Sequence, residues 1–401
     1  MPSDNTLNRR TLLKLLGLAL CGPSWTPGAP TEAAAAPSSR RRVLGLDRVV
    51  AFTYLANARN LHSVTLTLAG PKDWKYWADR GVVPVFAHTW FDLLRNSSVD
   101  KASDLLAHSD YGGNPHPVVC IDEFGFDMGG HTDEHCAQIL QATRKKRPDL
   151  GLAVWQMREP VPAVLGEAYR RYVDLVLPEC YVGEPKNYWW IATQLHAARM
   201  HRILDKTVVC LGLGVGGNPG ENWITSKDEL ERQLRFVRLI APESPGVAFF
   251  GGDNVPEIVA AADDLCSRFW DLPSDGSGLP PEVLELHMTF SGHYDRPVIV
   301  CSPLWVEPDR DPTIDPNNLM NPKVMRVYLM NLGEKDAKNI TVRLRNPKEN
   351  GGNVFAEGVV SSMPRRGEAA AVLPVTAEWK VWKTWEMEIA APGAEVITYT
   401  M

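Results

Sequence analysis

The chain has 401 residues, with 42 basic and 48 acidic side chains and a formal net charge of −6. At 44% hydrophobic and 22% charged residues it has the composition of a folded globular protein, which excludes a disordered chain, a collagen-like fibre and a polytopic membrane protein. The mild acidity argues against a nucleic-acid partner, which calls for a basic face.

The chain opens with Asn8-Arg9-Arg10-Thr11-Leu12-Leu13-Lys14. Two adjacent arginines, two apolar residues and a lysine resemble the twin-arginine export signal. The apolar run that follows, Leu15 to Leu20, is far shorter than the ~18 residues of a spanning helix, so no stable membrane anchor is expected. Ala34-Ala35-Ala36 offers small residues for cleavage. Residues 1–36 are therefore read as an export signal, and the protein is expected to be folded before export to the periplasm or beyond. Beyond Cys21, the cysteines at 120, 180 and 210 lie in apolar runs and no CxxC spacing occurs. The thiols are read as free and buried.

From residue 43 to 270 short apolar runs alternate with helical patterns. The strand-like runs are Val49–Tyr54, Val64–Leu68, Val82–Ala87, Val118–Asp122, Leu152–Trp155, Leu175–Leu177, Val208–Leu211 and Val247–Phe250. They are short, continuous and rich in Val, as strands buried on both faces are. Helical candidates are Pro71–Asp79, Thr132–Lys146, Val161–Val173, Tyr188–Leu204, Lys227–Ile240 and Pro256–Phe269. Ser226 and Glu229 read as a capping box for the helix at Lys227. Eight βα-like units predict an α/β fold, a (β/α)8 TIM-like barrel over 43–270. The phosphate-binding glycine fingerprint of a doubly wound sheet is missing, because Gly212-Leu213-Gly214-Val215-Gly216-Gly217 comes late and leads into Asn218-Pro219-Gly220.

Asp271–Pro281 is rich in Pro, Gly and Ser and marks a linker over 271–284. The hydrophobic period then changes to two. Val324–Leu329 and Ile340–Leu344 read as antiparallel strands joined across Asn331-Leu332-Gly333, with more strands at Trp385–Ile389 and Glu395–Thr400. Residues 285–401 thus resemble the small β-sandwich modules appended to secreted bacterial enzymes.

In such a barrel the reactive groups sit at the C-terminal strand ends. Val118-Val119-Cys120-Ile121 runs into Asp122-Glu123, and Leu175-Val176-Leu177-Pro178 runs into Glu179-Cys180-Tyr181. A carboxyl beside another carboxyl at an apolar rim keeps its proton to higher pH, which suits acid–base work. Two strands that end in carboxylates meet the requirement of glycoside hydrolysis for a proton donor and a second carboxylate. Tyr54, His88, Trp90, Trp155, Gln156 and Asp253 close other strands, Asp127 follows Glu123 in the same loop, and Trp223 follows a later strand. With Tyr181 these are the candidates for sugar hydroxyls and for stacking on sugar faces. Trp189 and Trp190 are candidates for outer subsites.

This set resembles the (β/α)8 glycoside hydrolases over residues 43–270. The adjacent Asp122-Glu123 is similar to the substrate-assisted hexosaminidases, in which the Asp orients the substrate acetamide and the Glu is the acid. Carboxylates two strands apart resemble the α-galactosidase-type barrels. The Asn-Glu pair of the commonest retaining clan and the DxxDxDxE run of chitinases are absent from the sequence. The resemblance implies a carbohydrate substrate, no cofactor and no metal, with Glu123 as general acid/base. Glu179 is then the nucleophile or water-activating base, and Asp122 tunes Glu123 or holds a hydroxyl. A non-catalytic carbohydrate-binding protein on the same scaffold is the alternative, and a metal-assisted hydrolase is a third reading. For the last, His131 and His135 are spaced i, i+4 and Asp309–Asn318 is rich in oxygen ligands.

Overall fold

The computed structural model describes residues 43–53, 58–90, 94, 97–125, 133–157, 160–214, 223–252, 255–291, 296–301, 306–308, 324–348, 351–377, 386–394 and 397–400. The expected export signal therefore lies outside the described residues.

Eight parallel strands close into a barrel in sequence order. They are β1 Val49–Thr53, β2 Leu66–Leu68, β3 Val83–Thr89, β4 Val118–Phe124, β5 Gly151–Gln156, β6 Leu175–Cys180, β7 Val209–Leu213 and β8 Gly246–Gly251. Closure is a five-residue parallel ladder from Val49↔Gly246 to Thr53↔Phe250. Each strand falls where a Val-rich run predicts it, because residues of both parities are buried. One parity (Ala51, Val118, Cys120, Ala153, Leu177, Cys210) fills the barrel interior. The other (Phe52, Val119, Ile121, Val154, Leu211, Phe249) packs beneath the helices.

The helices are α1 Trp74–Ala78, α2 Val99–His108, α3 Asp133–Lys146, α4 Ala163–Tyr172, α5 Trp189–Met200, α6 Lys227–Ile240, α7 Pro256–Ser267 and α8 Pro281–Ser291. The α2 helix has no counterpart in the sequence reading. Its start is set by Ser98, whose side chain accepts from the Lys101 amide at 3.3 Å. Ser226 caps α6 in the same way, at 3.2 Å from the Glu229 amide. The Glu229 carboxylate instead accepts from the Tyr188 hydroxyl at 2.6 Å and the Gln233 amide at 3.0 Å. At the far end of α4 the buried Lys206 ammonium donates to the carbonyls of Tyr169, Arg170 and Val173 at 2.9, 3.1 and 2.6 Å. A cation is well placed there, since the last carbonyls of a helix carry its negative pole.

The α8 helix begins at Pro281, within the segment read as linker, and the sheets start at Ile299. Two four-stranded antiparallel sheets follow. One joins β9 Ile299–Val300, β10 Val306–Pro308, β11 Val324–Asn331 and β14 Glu368–Pro374. The other has the order β13 Val354–Met363, β12 Ala337–Arg345, β15 Glu386–Ala390 and β16 Ile397–Thr400. The expected hairpin between β11 and β12 is corrected here. Within the sheets β11 pairs with β9, β10 and β14, while β12 pairs with β13 and β15. The reason is Asn331. Its buried side chain accepts from the amides of Val298 and Gly333 at 3.2 and 3.0 Å and donates to the carbonyls of Lys335 and Pro364 at 2.8 and 3.2 Å. Those bonds turn the chain across to the second sheet. All six cysteines of the described residues are free and buried.

The barrel seam rests on Gly246. A Cβ added there would stand 1.7 Å from the Val49 carbonyl oxygen and 2.6 Å from its carbon. Backbone cannot yield as a flexible side chain does, so Gly246→Ala is expected to cost about 2–4 kcal/mol of unfolding free energy. Urea unfolding followed by circular dichroism measures this.

Candidate active site

The site forms where the inward parity of β4 and β6 runs out of apolar residues, beside the inward aromatic residues Trp155 of β5 and Phe250 of β8. On β4, Val118 and Cys120 fill the interior and Val119, Ile121 and Phe124 the outer layer. Asp122 continues the inward set. Strict alternation would then send Glu123 outward, but the β4–β5 ladder slips between Ile121 and Phe124. Glu123 is the extra residue of this bulge and adopts φ +55°. Left-handed backbone costs a residue with a Cβ roughly 1 kcal/mol or more. Bulges re-aim side chains at barrel rims, and this one brings Glu123 within electrostatic reach of Glu179.

On β6, Leu175 and Leu177 face inward and Val176 and Cys180 outward. Glu179 is inward and only 9% exposed. It is the cross-strand partner of Cys210 on β7. Burial holds its carboxyl well above the usual 4.5, and the charges of Asp122 and then Glu123 push it the same way. A hydrogen bond from the Tyr181 hydroxyl opposes them. Glu179 thus keeps its proton at a pH where an ordinary glutamate has lost it.

Tyr181 lies two residues on, in the same inward set. Its oxygen accepts from the Trp155 indole N–H at 3.1 Å. Its ring stacks on Phe250 of β8, with centroids 5.3 Å apart and planes at 19°, and leans on Trp223 at 5.0 Å. Trp223 itself lies over the ends of β7 and β8. A Cβ on Gly212 or Gly251 would meet its indole at 2.7 or 3.0 Å, so glycine there makes room for the ring. Burial, reinforced by neighbouring acids, keeps the Cys120 and Cys210 thiols far above their ordinary 9.0, so neither offers a thiolate nucleophile.

The structure therefore brings together Asp122, Glu123, Glu179, Trp155, Tyr181 and Trp223 of the sequence candidates, and adds Phe250, Cys120 and Cys210. Three candidates face the other way. Gln156 accepts from the hydroxyl of Tyr169 on α4 and is fully buried outside the barrel. Trp90 packs against Phe124 and His135 in the same outer layer. His88 lies on the side of Phe86 and faces Tyr111. It lines a cavity of about 510 Å³ with Thr67, Trp77 and Asp110. Burial lowers the pKa of its imidazole and favours the neutral ring. Trp189 and Trp190 stack on one another at the start of α5, 6.5 Å apart. Tyr54, Asp127, Asp253, His131 and Asp309–Asn318 lie outside the described residues. Among those described, no group of three His, Cys, Asp or Glu side chains is placed to hold a metal ion.

No protein-family model matches the chain, and no curated protein matches its sequence. Among solved structures it is similar to a GH18 chitinase from Pseudoalteromonas aurantia, at 12% identity, 53% of this chain, 99% of that one and a TM-score of 0.39. It is similar to a GH10 xylanase from Thermobacillus composti, at 12% identity, 51% and 84% coverage and a TM-score of 0.35. It also resembles a glycoside hydrolase family 5 protein from Bacteroides vulgatus, at 9% identity, 84% and 91% coverage and a TM-score of 0.36. Likenesses of this size carry no argument about chemistry, which has to come from the site itself.

The raised Glu179 carboxyl has a thermodynamic signature. Its folded form binds the proton more tightly than the unfolded chain, so stability is lost as pH rises from about 4.5 through the higher folded value. Glu179→Gln is neutral at every pH. The variant is expected to match the wild type near pH 4 and to exceed its melting temperature near pH 8. A variant less stable by the same amount at both values would show that the carboxyl is not held protonated.

Proposed function

We propose that the chain is an exported glycoside hydrolase in which Glu179 is the general acid and a β4 carboxylate its counterpart. One observation carries the reading: a buried carboxyl, whose burial raises its pKa, shares the C-terminal end of a closed barrel with two more carboxylates. In this scheme Glu179 gives its proton to the glycosidic oxygen as the carbon–oxygen bond breaks. Asp122 or Glu123 stabilises the developing positive charge and attacks the sugar carbon or deprotonates the incoming water. The sequence reading made Glu123 the general acid/base and Glu179 the nucleophile or water-activating base. The deeper burial of Glu179 favours the reverse.

The aromatic wall of Tyr181, Phe250 and Trp223 supports a carbohydrate ligand, since apolar sugar faces stack on such rings. The Arg9-Arg10 motif supports export of the folded chain through the twin-arginine route, to the periplasm or beyond.

The test is a panel of polysaccharides and N-acetylated glycans incubated with wild type and Glu179→Gln. Product release by the wild type is expected, with kcat/KM lower by ~10²–10⁴-fold in the variant. The wild-type rate should fall on the alkaline side as Glu179 ionises. Binding without product release would return the chain to a non-catalytic carbohydrate-binding protein. Wild-type activity confined to N-acetylated glycans and retained in Glu179→Gln would point to the hexosaminidase-like scheme, with Glu123 as acid.

A further inference from the structure

The cavity beside His88, about 510 Å³, lies at the C-terminal ends of β2 and β3. Small-molecule sites occupy ~300–1,000 Å³, so it has room for a ligand. Side chains of both parities line it. Thr67, Phe86 and His88 belong to the outward set of their strands, Leu68 and Ala87 to the inward set. The cavity therefore crosses the rim of the barrel, and Ala87 at its inner edge is exposed. Only β3 separates β2 from β4, where Asp122 is the cross-strand partner of Thr89. Two strand spacings amount to ~10 Å, within the span of a short oligosaccharide.

The outer wall is Trp77 of α1 and the loop that follows α2. That loop is fixed in place. The Trp74 indole N–H donates to the Gly112 carbonyl at 2.8 Å, and a Cβ at Gly112, φ +64°, would stand 2.0 Å from the Pro71 carbonyl oxygen. The hydroxyl protons of the wall are committed to backbone. Thr67 donates to the Phe52 carbonyl at 2.8 Å, Ser109 to the Leu105 carbonyl at 2.6 Å and Tyr111 to the Leu106 carbonyl. Asp110 Oδ1 accepts from the Gly112 amide at 2.8 Å. Among the described residues the other Asp110 oxygen and both His88 nitrogens have no hydrogen-bond partner, although the imidazole is held edge-on to the Tyr111 ring. Burial favours the neutral imidazole, which presents one donor and one acceptor. No Lys or Arg among the described residues lines the cavity, so nothing there favours an anion. The lining fits a ligand with an apolar face for Leu68, Trp77 and Phe86 and hydroxyls for His88 and Asp110. A sugar ring has both.

We propose that this cavity is a second carbohydrate subsite, which takes an uncharged sugar unit of a chain that also crosses the acids, with His88 and Asp110 as its hydrogen-bonding residues. The inference rests on the reading of the protein as carbohydrate-active, but its test reads binding rather than cleavage, so the two can fail separately.

The probes are uncharged disaccharides and hexasaccharides of glucose, xylose and N-acetylglucosamine. They are titrated calorimetrically into the full chain carrying Glu179→Gln, to suppress cleavage, with and without Gly70→Phe or His88→Leu. Gly70 is an exposed residue of the cavity wall where a Cβ meets only the Asp73 carboxylate, at 3.7 Å, so the backbone admits a side chain that obstructs the cavity. For at least one sugar the hexasaccharide is expected to bind ~10-fold more tightly than the disaccharide, and each variant to lower that ratio ~3-fold or more. No preference for the longer chain in any series, or a preference that survives either variant, overturns the proposal. Loss of the preference on adding tetramethylammonium also overturns it, since the aromatic lining would then be a cage for cations. The expected ratios with no product release by the wild type would keep the subsite and remove the hydrolase. Product release with ratios that neither variant moves would do the reverse. Should one variant fail to fold, the other decides alone.

Discussion

The site depends on keeping water away from one carboxyl. Ionising Glu179 in its present surroundings would place a third negative charge beside Asp122 and Glu123 with little solvent to screen it. The fold avoids this by leaving the proton in place. Beneath Glu179 the barrel is packed with Cys, Ala, Val and Leu, and beside it stands Tyr181, whose ring packs on Phe250 and Trp223. The acid and its raised pKa therefore depend on the same packing that fills the barrel.

The second element is the strain in β4. A strand presents adjacent residues to opposite faces, so Asp122 and Glu123 cannot both address the interior on a regular ladder. The bulge and the left-handed backbone at Glu123 relax that rule, at a cost in local stability. Gly125, two residues on, is also left-handed at φ 82°, a conformation glycine adopts at no steric cost.

Much of the barrel was legible because strands buried on both faces read as unbroken apolar runs. Helix α2 was not, because its buried stripe, Ala102, Ser103, Leu106 and Ala107, is made mostly of small residues and its strongest signal is the single cap at Ser98. At the site, strand ends were legible but the direction of each side chain was not. Trp155 and Gln156 are neighbours in sequence, yet one faces Tyr181 and the other Tyr169 on the far side of the sheet. Counting parity from the small residues Cys120, Ala153 and Ala248, which only the crowded interior favours, would have separated them. In the second domain the turn at Asn331 carries the residues of a hairpin. Its partners Val298, Lys335 and Pro364 are remote or unremarkable in sequence, so only the fold reveals the crossing.

The buried sulfurs have one more consequence. None of the six thiols forms a disulfide, and Cys120 and Cys210 sit on strands of a closed barrel. A reagent or oxidant in the surrounding medium reaches them only when strands part. The rate at which they are alkylated therefore clocks the opening of the barrel, and an oxidant reaches these two sulfurs no faster than the barrel breathes.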